Sequence, residues 1–322
     1  MHRILITSRV FKQTDDETFG YLRENGCEIV PNPCFGRIMK EDELIQNLPG
    51  IHGVILGVEI LNEKVFSHAD SLKTISRFGV GYDNIDIPSA TKKGISVSYV
   101  PGANVEAVAD LTIGLLISIC RKIGAGWDLI RSGGWQGLQG PEVWGKTLGV
   151  IGLGRIGKAV IRRAKGFNMK IIGYDEYPNP AYCKEHDIEL VDNIEAILKN
   201  SDFITLHIPC TDSSRNLISS KELGMMKPTA YIINAARGGI IDEEALYTCL
   251  KEKKIAGAAL DVLAVEPMQK GNKLAELDNI IITPHIAGNS YEAIQKTKQI
   301  SVENLLAGLN GKTNENFLNM KK

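Results

Sequence analysis

The feature that most narrows the possible folds is a short apolar run that ends in a spaced set of glycines. It reads Thr147-Leu-Gly-Val-Ile-Gly152-Leu-Gly154-Arg-Ile-Gly157-Lys-Ala-Val. A run of this length passing directly into a helical pattern is a strand entering a helix. Gly152 permits the tight turn, Gly154 lets the backbone approach a diphosphate, and Gly157 lets helix and strand pack closely. The helix N-terminus then offers free N–H groups and a partial positive charge to an anion. A Gly-rich turn without a ligand is the plainer alternative, and a second feature weighs against it. The next apolar run, Lys170-Ile-Ile-Gly-Tyr, ends in Asp175, where a carboxylate would receive the ribose hydroxyls of an adenosine. Glu176 and Tyr177 follow with no Arg or Lys, so a 2′-phosphate would meet only negative charge. NAD is therefore expected rather than NADP.

From Thr147 onward, strands are expected near 147–151, 170–174, 203–207, 230–234, 256–260 and 280–283, with helices between them. Six strands with crossovers suit a dinucleotide-binding sheet. The first hundred residues carry a smaller series. Arg3–Thr7, Glu28–Pro31, Gly53–Leu56 and Leu72–Ser76 read as strands. Asp15–Asn25, Glu41–Leu48 and Asn62–His68 read as helices, the first capped by Thr14 or Asp15 and closed by Gly26. That alternation makes a small parallel α/β domain. A helix from about Asn104 to Ile123 separates the two series, with apolar residues recurring at a 3.6-residue period. After it, Gly124–Trp144 reads as a Gly-rich loop holding Trp127, Trp135 and Trp144. Either it is an arm that covers a second copy of the chain, or its indoles cap the domain's own core. A last helix, about 290–308, can pack back on the first domain.

The segment Gly140-Pro-Glu-Val-Trp-Gly145-Lys146-Thr147 fits the nucleoside-triphosphate loop letter for letter. That loop must leave a strand and open a helix. This copy does the reverse, holding Pro141 and running into a strand, so no kinase or ATPase is implied.

With 37 basic and 38 acidic side chains the net charge is −1, which excludes the basic stripe of a nucleic-acid binder or a polybasic membrane patch. The six cysteines are scattered without a C-x-x-C, which suits reduced thiols. The N-terminus lacks a long apolar core, and the longest apolar stretch, Leu111–Cys120, is too short to span a bilayer. A cytoplasmic protein is expected.

Three polar islands stand at the ends of later apolar runs: Arg237 before Gly238-Gly239, Glu266 before Pro267, and His285 after Pro284. Ligands gather where parallel strands end. Arg237 offers a planar fork suited to a carboxylate. His285 offers an imidazole, the side chain best suited to acid/base work. Glu266 can hydrogen-bond the imidazole, fix its tautomer and keep it protonated. Singly each has a plainer reading: a surface turn, a loop end, a hydrogen-bonded histidine. Together at one sheet edge they can grip an anion and move a proton. The histidines show no metal-ligand spacing, so no metal is expected. His207 reads as a strand-end residue near the cofactor rather than a second catalyst.

Several motifs closely resemble the D-isomer-specific 2-hydroxyacid dehydrogenases, above all their phosphoglycerate dehydrogenase-like branch. They include Arg77-Phe-Gly-Val-Gly-Tyr-Asp-Asn-Ile-Asp86, Pro101-Gly-Ala-Asn-Val-Glu-Ala-Val-Ala-Asp110 and the glycine loop. Asn234-Ala-Ala-Arg-Gly-Gly239, Asp261-Val-Leu-Ala-Val-Glu-Pro267 and Thr283-Pro-His-Ile-Ala-Gly288 complete the set, which covers nearly all 322 residues. The resemblance implies Arg237, Glu266 and His285 as catalytic, with Arg237 also binding substrate beside Val80, Gly81 and Asn104. It implies that Gly152, Gly154, Arg155, Ile156, Gly157, Asp175, Ile208, Pro209, Ala235, Ala236, Asp261 and Gly288 border NAD. The fold class implied is α/β with two domains. A Rossmann-type doubly wound parallel sheet (101–289) is inserted into a smaller flavodoxin-like α/β substrate domain (1–100, completed by 290–322). Members are usually homodimers joined through the 104–145 region.

Two departures matter. Leu56-Gly57-Val58 stands where phosphoglycerate dehydrogenases often have Val-Arg-Ser. The chain also ends near Lys322, so regulatory domains and control by serine are not expected. The activity expected is NAD-dependent interconversion of a 2-oxo acid and a D-2-hydroxy acid. The alternatives are 3-phosphoglycerate dehydrogenase proper, glyoxylate or hydroxypyruvate reduction, or an NAD-sensing, non-enzymatic corepressor-like protein.

Overall fold

Short, mostly apolar runs form two sheets whose strand pairs are all parallel. The computed structural model describes residues 1–11 and 17–320. By their contacts these fall into two units, Met1–Asn104 with Ser290–Lys322, and Val105–Asn289.

In the first unit, strands β1 (His2–Ile6), β2 (Cys27–Val30), β3 (Gly53–Leu56), β4 (Thr74–Arg77) and β5 (Ser96–Ser98) pair in the order β2-β1-β3-β4-β5. This is the flavodoxin-like order. Helices α1 (Glu17–Glu24), α2 (Glu41–Asn47), α3 (Glu63–Ser67) and α4 (Ile87–Lys92) connect the strands. The expected cap of α1 at Thr14 or Asp15 lies outside the described residues. Its other end closes as expected at Gly26, whose φ of 76° only glycine adopts freely. The sequence reading missed β5, which at three residues is too short to show a period. The C-terminal helix, Tyr291–Leu309, belongs to this unit and lies against β3, β4 and β5. Contact is close: a Cβ added at Gly308 would fall 2.1 Å from Thr74 Oγ1. Ser290 caps the helix by accepting from Ala293 N–H at 3.1 Å.

The second unit holds seven strands, where the apolar runs suggested six. They are β6 (Thr147–Ile151), β7 (Lys170–Tyr174), β8 (Ile188–Leu190), β9 (Phe203–Leu206), β10 (Tyr231–Asn234), β11 (Gly257–Leu260) and β12 (Ile280–Ile282). Their order is β12-β11-β10-β9-β6-β7-β8, a doubly wound sheet whose direction of winding reverses between β6 and β9. The extra strand is β8, an edge strand of three residues with Glu189 at its centre. Such a strand carries no long apolar run to announce it. Strands β9, β10 and β11 are buried along their whole length. Each buried Ile or Leu contributes about 1.5–3 kcal/mol.

Helices α5 (Val105–Cys120), α6 (Ile123–Arg131), α7 (Arg155–Lys165), α8 (Pro180–Glu185), α9 (Ile194–Asn200), α10 (Ser220–Leu223) and α11 (Glu243–Lys251) complete the unit. Helix α6 corrects the reading of 124–144 as a loop throughout. Lys122, at φ 55°, breaks the long helix, and a second one restarts at once. Gly124 and Gly126 lower helix propensity and hid it. None of the residues of α6 is buried, and its Ile123, Trp127 and Ile130 are 55%, 61% and 44% exposed. Trp135 and Trp144 are exposed too, at 88% and 64%, so none of the three indoles caps this unit's own core. Downstream, Gly140–Lys146 leads into β6 and no helix, unlike a triphosphate loop. All six cysteines are free thiols. Among the described residues no helix is long and apolar enough to cross a membrane.

Candidate active site

Strand register decides which residues can meet. Ile151 pairs with Tyr174 and Leu206, Leu206 with Asn234, Asn234 with Leu260, and Leu260 with Ile282. The last residues of six parallel strands therefore lie in one line, and whatever follows each of them emerges at one edge. Gly152, Asp175, Ile208, Ala235, Asp261 and His285 all lie within three residues of that line.

At the winding reversal the glycine loop fits a dinucleotide phosphate. Gly152 turns at φ 98°, and a Cβ there would lie 2.5 Å from His207 O. At Gly157 a Cβ would lie 2.1 Å from Gly152 O, so only glycine lets α7 start this near β6. Gly154 is the N-cap of α7 and has no side chain to cap it, which leaves the first N–H groups for an anion. Exposed Arg155 and half-buried Ile156 open that helix. Asp175 accepts Leu153 N–H at 2.6 Å and Tyr177 N–H at 2.8 Å, so its carboxylate is pinned beside the loop. Ile156 packs with Ala235, Val108 and Ala287, which brings the start of α7 to the ends of β10 and β12. Ile208 is half-buried and Pro209 exposed, just past β9. His207 donates or accepts at Thr205 Oγ1, 3.0 Å away, while its Nδ1 is buried without a partner. Burial pushes its imidazole down to about 3, so the ring is neutral at ordinary pH.

Arg237, Glu266 and His285 come together at the same edge. His285 Nδ1 stands 2.7 Å from Glu266 Oε2. That hydrogen bond fixes the neutral tautomer with Nδ1–H toward the carboxylate and leaves Nε2 to exchange a proton. Burial pushes the Glu266 carboxyl up, but bonds from His285 and from Leu263 N–H, with the Arg237 charge, hold it below the usual value. The guanidinium of Arg237 folds back on its own loop, Nη1 donating to Ala236 O at 2.8 Å. The loops bearing Arg237 and Glu266 touch through backbone. A Cβ at Gly238 would lie 1.9 Å from Leu263 O.

Two buried side chains that no sequence pattern singles out as supports hold this edge. Asn234, 2% exposed, accepts Ala236 N–H at 3.0 Å and donates to Arg237 O at 2.9 Å. Asp261, 1% exposed, accepts Thr283 Oγ1 at 2.5 Å, Ile286 N–H at 2.9 Å and Ala287 N–H at 2.8 Å. Those bonds fix a turn in which His285 takes the left-handed φ of 54°, ending before half-buried Gly288. Val80, Gly81 and Asn104 belong to the first unit. Val80 and Gly81 follow β4, and Asn104 Oδ1 is buried without a hydrogen-bond partner. Among the described residues no group of His, Cys, Asp or Glu side chains could hold a metal ion.

The model of the D-isomer specific 2-hydroxyacid dehydrogenase NAD binding domain matches residues 113–287. A D-3-phosphoglycerate dehydrogenase of Methanocaldococcus jannaschii is 43% identical over 286 residues, covering 88% of this chain but 54% of its own length. The chain thus spans about half of that longer relative. A glyoxylate reductase of Thermofilum pendens is 38% identical over 298 residues, covering 88% of this chain and 86% of its own. The crystal structure of a protein from Thermus thermophilus superposes with a TM-score of 0.90 at 34% identity, covering 98% of this chain and 99% of that one. The chain belongs to the D-isomer specific 2-hydroxyacid dehydrogenase family and is an NAD-dependent oxidoreductase of that class.

Proposed function

We propose that the chain interconverts a 2-oxo acid and its D-2-hydroxy acid, with His285 as acid/base and Arg237 as the carboxylate grip. The observation that carries this reading is the 2.7 Å contact of His285 Nδ1 with Glu266 Oε2, beside the Arg237 loop. Hydride transfer is the chemistry that NAD supplies when bound, with the glycine loop and Asp175 holding it. In the reducing direction, protonated His285 gives its Nε2 proton to the substrate oxygen as C2 gains hydride. Glu266 stabilises the imidazolium before the transfer and orients the ring after it. Arg237 fixes the carboxylate bidentately and draws charge toward the reacting carbonyl. The first unit serves as the substrate domain, contributing Val80, Gly81 and Asn104.

Glyoxylate and other small unphosphorylated 2-oxo acids fit the reading best. The glyoxylate reductase match extends over most of both chains, and Gly57 offers no cation for a phosphate. NADH oxidation with a panel of 2-oxo acids tests it. Turnover is expected with small acids and should fall by about 100-fold or more, but not to zero, in Arg237→Ala and His285→Ala. NADH affinity without turnover on any acid would overturn the assignment and favour a binding-only protein.

The exposed Ile123, Trp127 and Ile130 recur at helical spacing on α6 and make an apolar stripe suited to a second copy of the chain. A homodimer through the 104–145 region follows, and light scattering should show Trp127→Asp as a monomer. An unchanged dimer would remove α6 from the interface. Six free thiols, five of them buried, suit a reducing, cytoplasmic setting.

A further inference from the structure

We infer that Asn234 is a positioning residue for the substrate carboxylate, acting through Arg237. The inference rests on the reading of Arg237 given above. Asn234 is the last residue of β10 and sits where the ladder stops, paired with Leu206 on one side and Leu260 on the other. Beyond it the backbone groups of the loop have lost their strand partners, and buried polar groups left unpaired are costly.

One amide answers them. Its Oδ1 accepts from Ala236 N–H at 3.0 Å and its Nδ2 donates to Arg237 O at 2.9 Å. Both bonds are local, in the manner of an Asx turn, and they set the direction in which the chain leaves the strand at Arg237. The main chain ties this residue to the next strand as well, since Asp261 N–H donates to Asn234 O at 2.8 Å. Asp261 in turn holds the turn of His285. One buried residue therefore connects the two: its side-chain amide holds the Arg237 loop, and its main-chain carbonyl holds the strand end from which the His285 turn is hung.

The donor and the acceptor are both required, which only Asn supplies at this reach. Aspartate keeps the acceptor for Ala236 N–H but turns the second atom into an oxygen facing the Arg237 carbonyl. The loop must then open at Arg237. The guanidinium would then miss the substrate carboxylate, while the glycine loop that holds the dinucleotide stays undisturbed. That pattern separates positioning from mere support of the fold.

The test compares Asn234→Asp, Arg237→Ala and the double variant of the full chain. It measures kcat/KM for the best 2-oxo acid, oxamate affinity of the NADH-bound enzyme, NADH affinity and the thermal midpoint. Asn234→Asp should lower kcat/KM by about 100-fold, the scale of an ångström-level misplacement. Oxamate binding should weaken about tenfold or more while NADH affinity holds within about threefold. Added to Arg237→Ala, the aspartate should cost less than about threefold more, because both changes remove one interaction. Losses that multiply in the double variant would overturn the inference, as would oxamate and NADH affinities that fall together. Should the aspartate unfold the chain, Asn234→Ser keeps a hydroxyl for Ala236 N–H without reaching Arg237 O, and the same readings apply. If Arg237→Ala itself keeps full turnover, the reading of Arg237 fails first and this inference with it.

Discussion

Gly238→Ala is the smallest change that should pull the Arg237 and Glu266 loops apart. A Cβ at this position would lie 1.9 Å from Leu263 O, 2.1 Å from Leu263 C and 2.6 Å from Ala264 N. Ordinary contact begins near 3.4 Å, so the two loops must separate by roughly 1.5 Å. The obstructing atoms are backbone, and no side chain can swing away to make room. The Glu266 side of the contact is also tied down, because Glu243 Oε1 accepts Ala264 N–H at 2.5 Å and Glu266 Oε1 accepts Leu263 N–H at 2.9 Å. Overpacking of this kind costs about 1–3 kcal/mol of stability. A displacement of an ångström or more between a substrate grip and an acid/base group costs about 100-fold in rate. Stability by urea denaturation and kcat/KM by NADH oxidation should therefore both fall. Gly20→Ala is the control: it lies on the exposed side of α1 with nothing within 4 Å, and should be neutral or stabilise by up to about 1 kcal/mol. If Gly238→Ala keeps kcat/KM within about twofold of the parent, the backbone contact does not set the geometry of the site and the reasoning fails.

Asp175→Ala should relax the preference for NAD over NADP by about tenfold or more, read from the ratio of kcat/KM values for the reduced cofactors. It should also weaken NADH, because Leu153 N–H loses its acceptor; an unchanged ratio would count against the ribose assignment. The pH dependence of stability has a clear sign at His207. Its folded value of about 3 lies below the unfolded 6.5, so the unfolded chain binds the extra proton and stability falls as pH drops below about 6.5. The slope should approach about 1.4 kcal/mol per pH unit between pH 6 and 5, and His207→Asn should flatten it in denaturant titrations. A parent curve that is flat over that interval would show that the ring accepts a proton in the folded state.

Six of the seven strands of the second unit are legible because they are apolar runs closed by glycine or by polar residues. A reader of Leu148–Ile151 followed by three spaced glycines has little freedom in what to build. Arg237, Glu266 and His285 stood out for the same reason, as charges at the ends of runs that had none. What escaped notice was short or contradictory at the local level. β5 and β8 have three residues each, below the length at which a period can be seen. Helix α6 holds two glycines and follows a residue in left-handed conformation, so its propensity argued for a loop while its apolar spacing argued for a helix. Asn234 and Asp261 escaped as supports because polar residues after apolar runs look like the start of a loop. Their burial follows from neighbouring strands that end in line with them, which depends on pairings between segments far apart in the chain.

The site divides its residues by burial in a way that separates reacting from holding. The His285 side chain is 48% exposed and that of Glu266 35% exposed, while Asn234 and Asp261 are 2% and 1% exposed. A buried carboxylate is expensive unless its lone pairs are filled, and Asp261 fills them with three donors from one turn. The left-handed φ of His285 costs on the order of 1 kcal/mol and persists only where surrounding bonds over-determine it. Stability is thus concentrated beneath the edge, and the imidazole above it contributes little to folding. Changes to His285 should therefore remove activity at nearly constant stability, whereas changes to Asn234 or Asp261 must move both, as must a change to Glu266 that leaves Leu263 N–H without its acceptor. A loss of stability in His285→Ala as large as that in Asp261→Ala would mean that the imidazole itself holds the turn, and the division drawn from burial would be wrong.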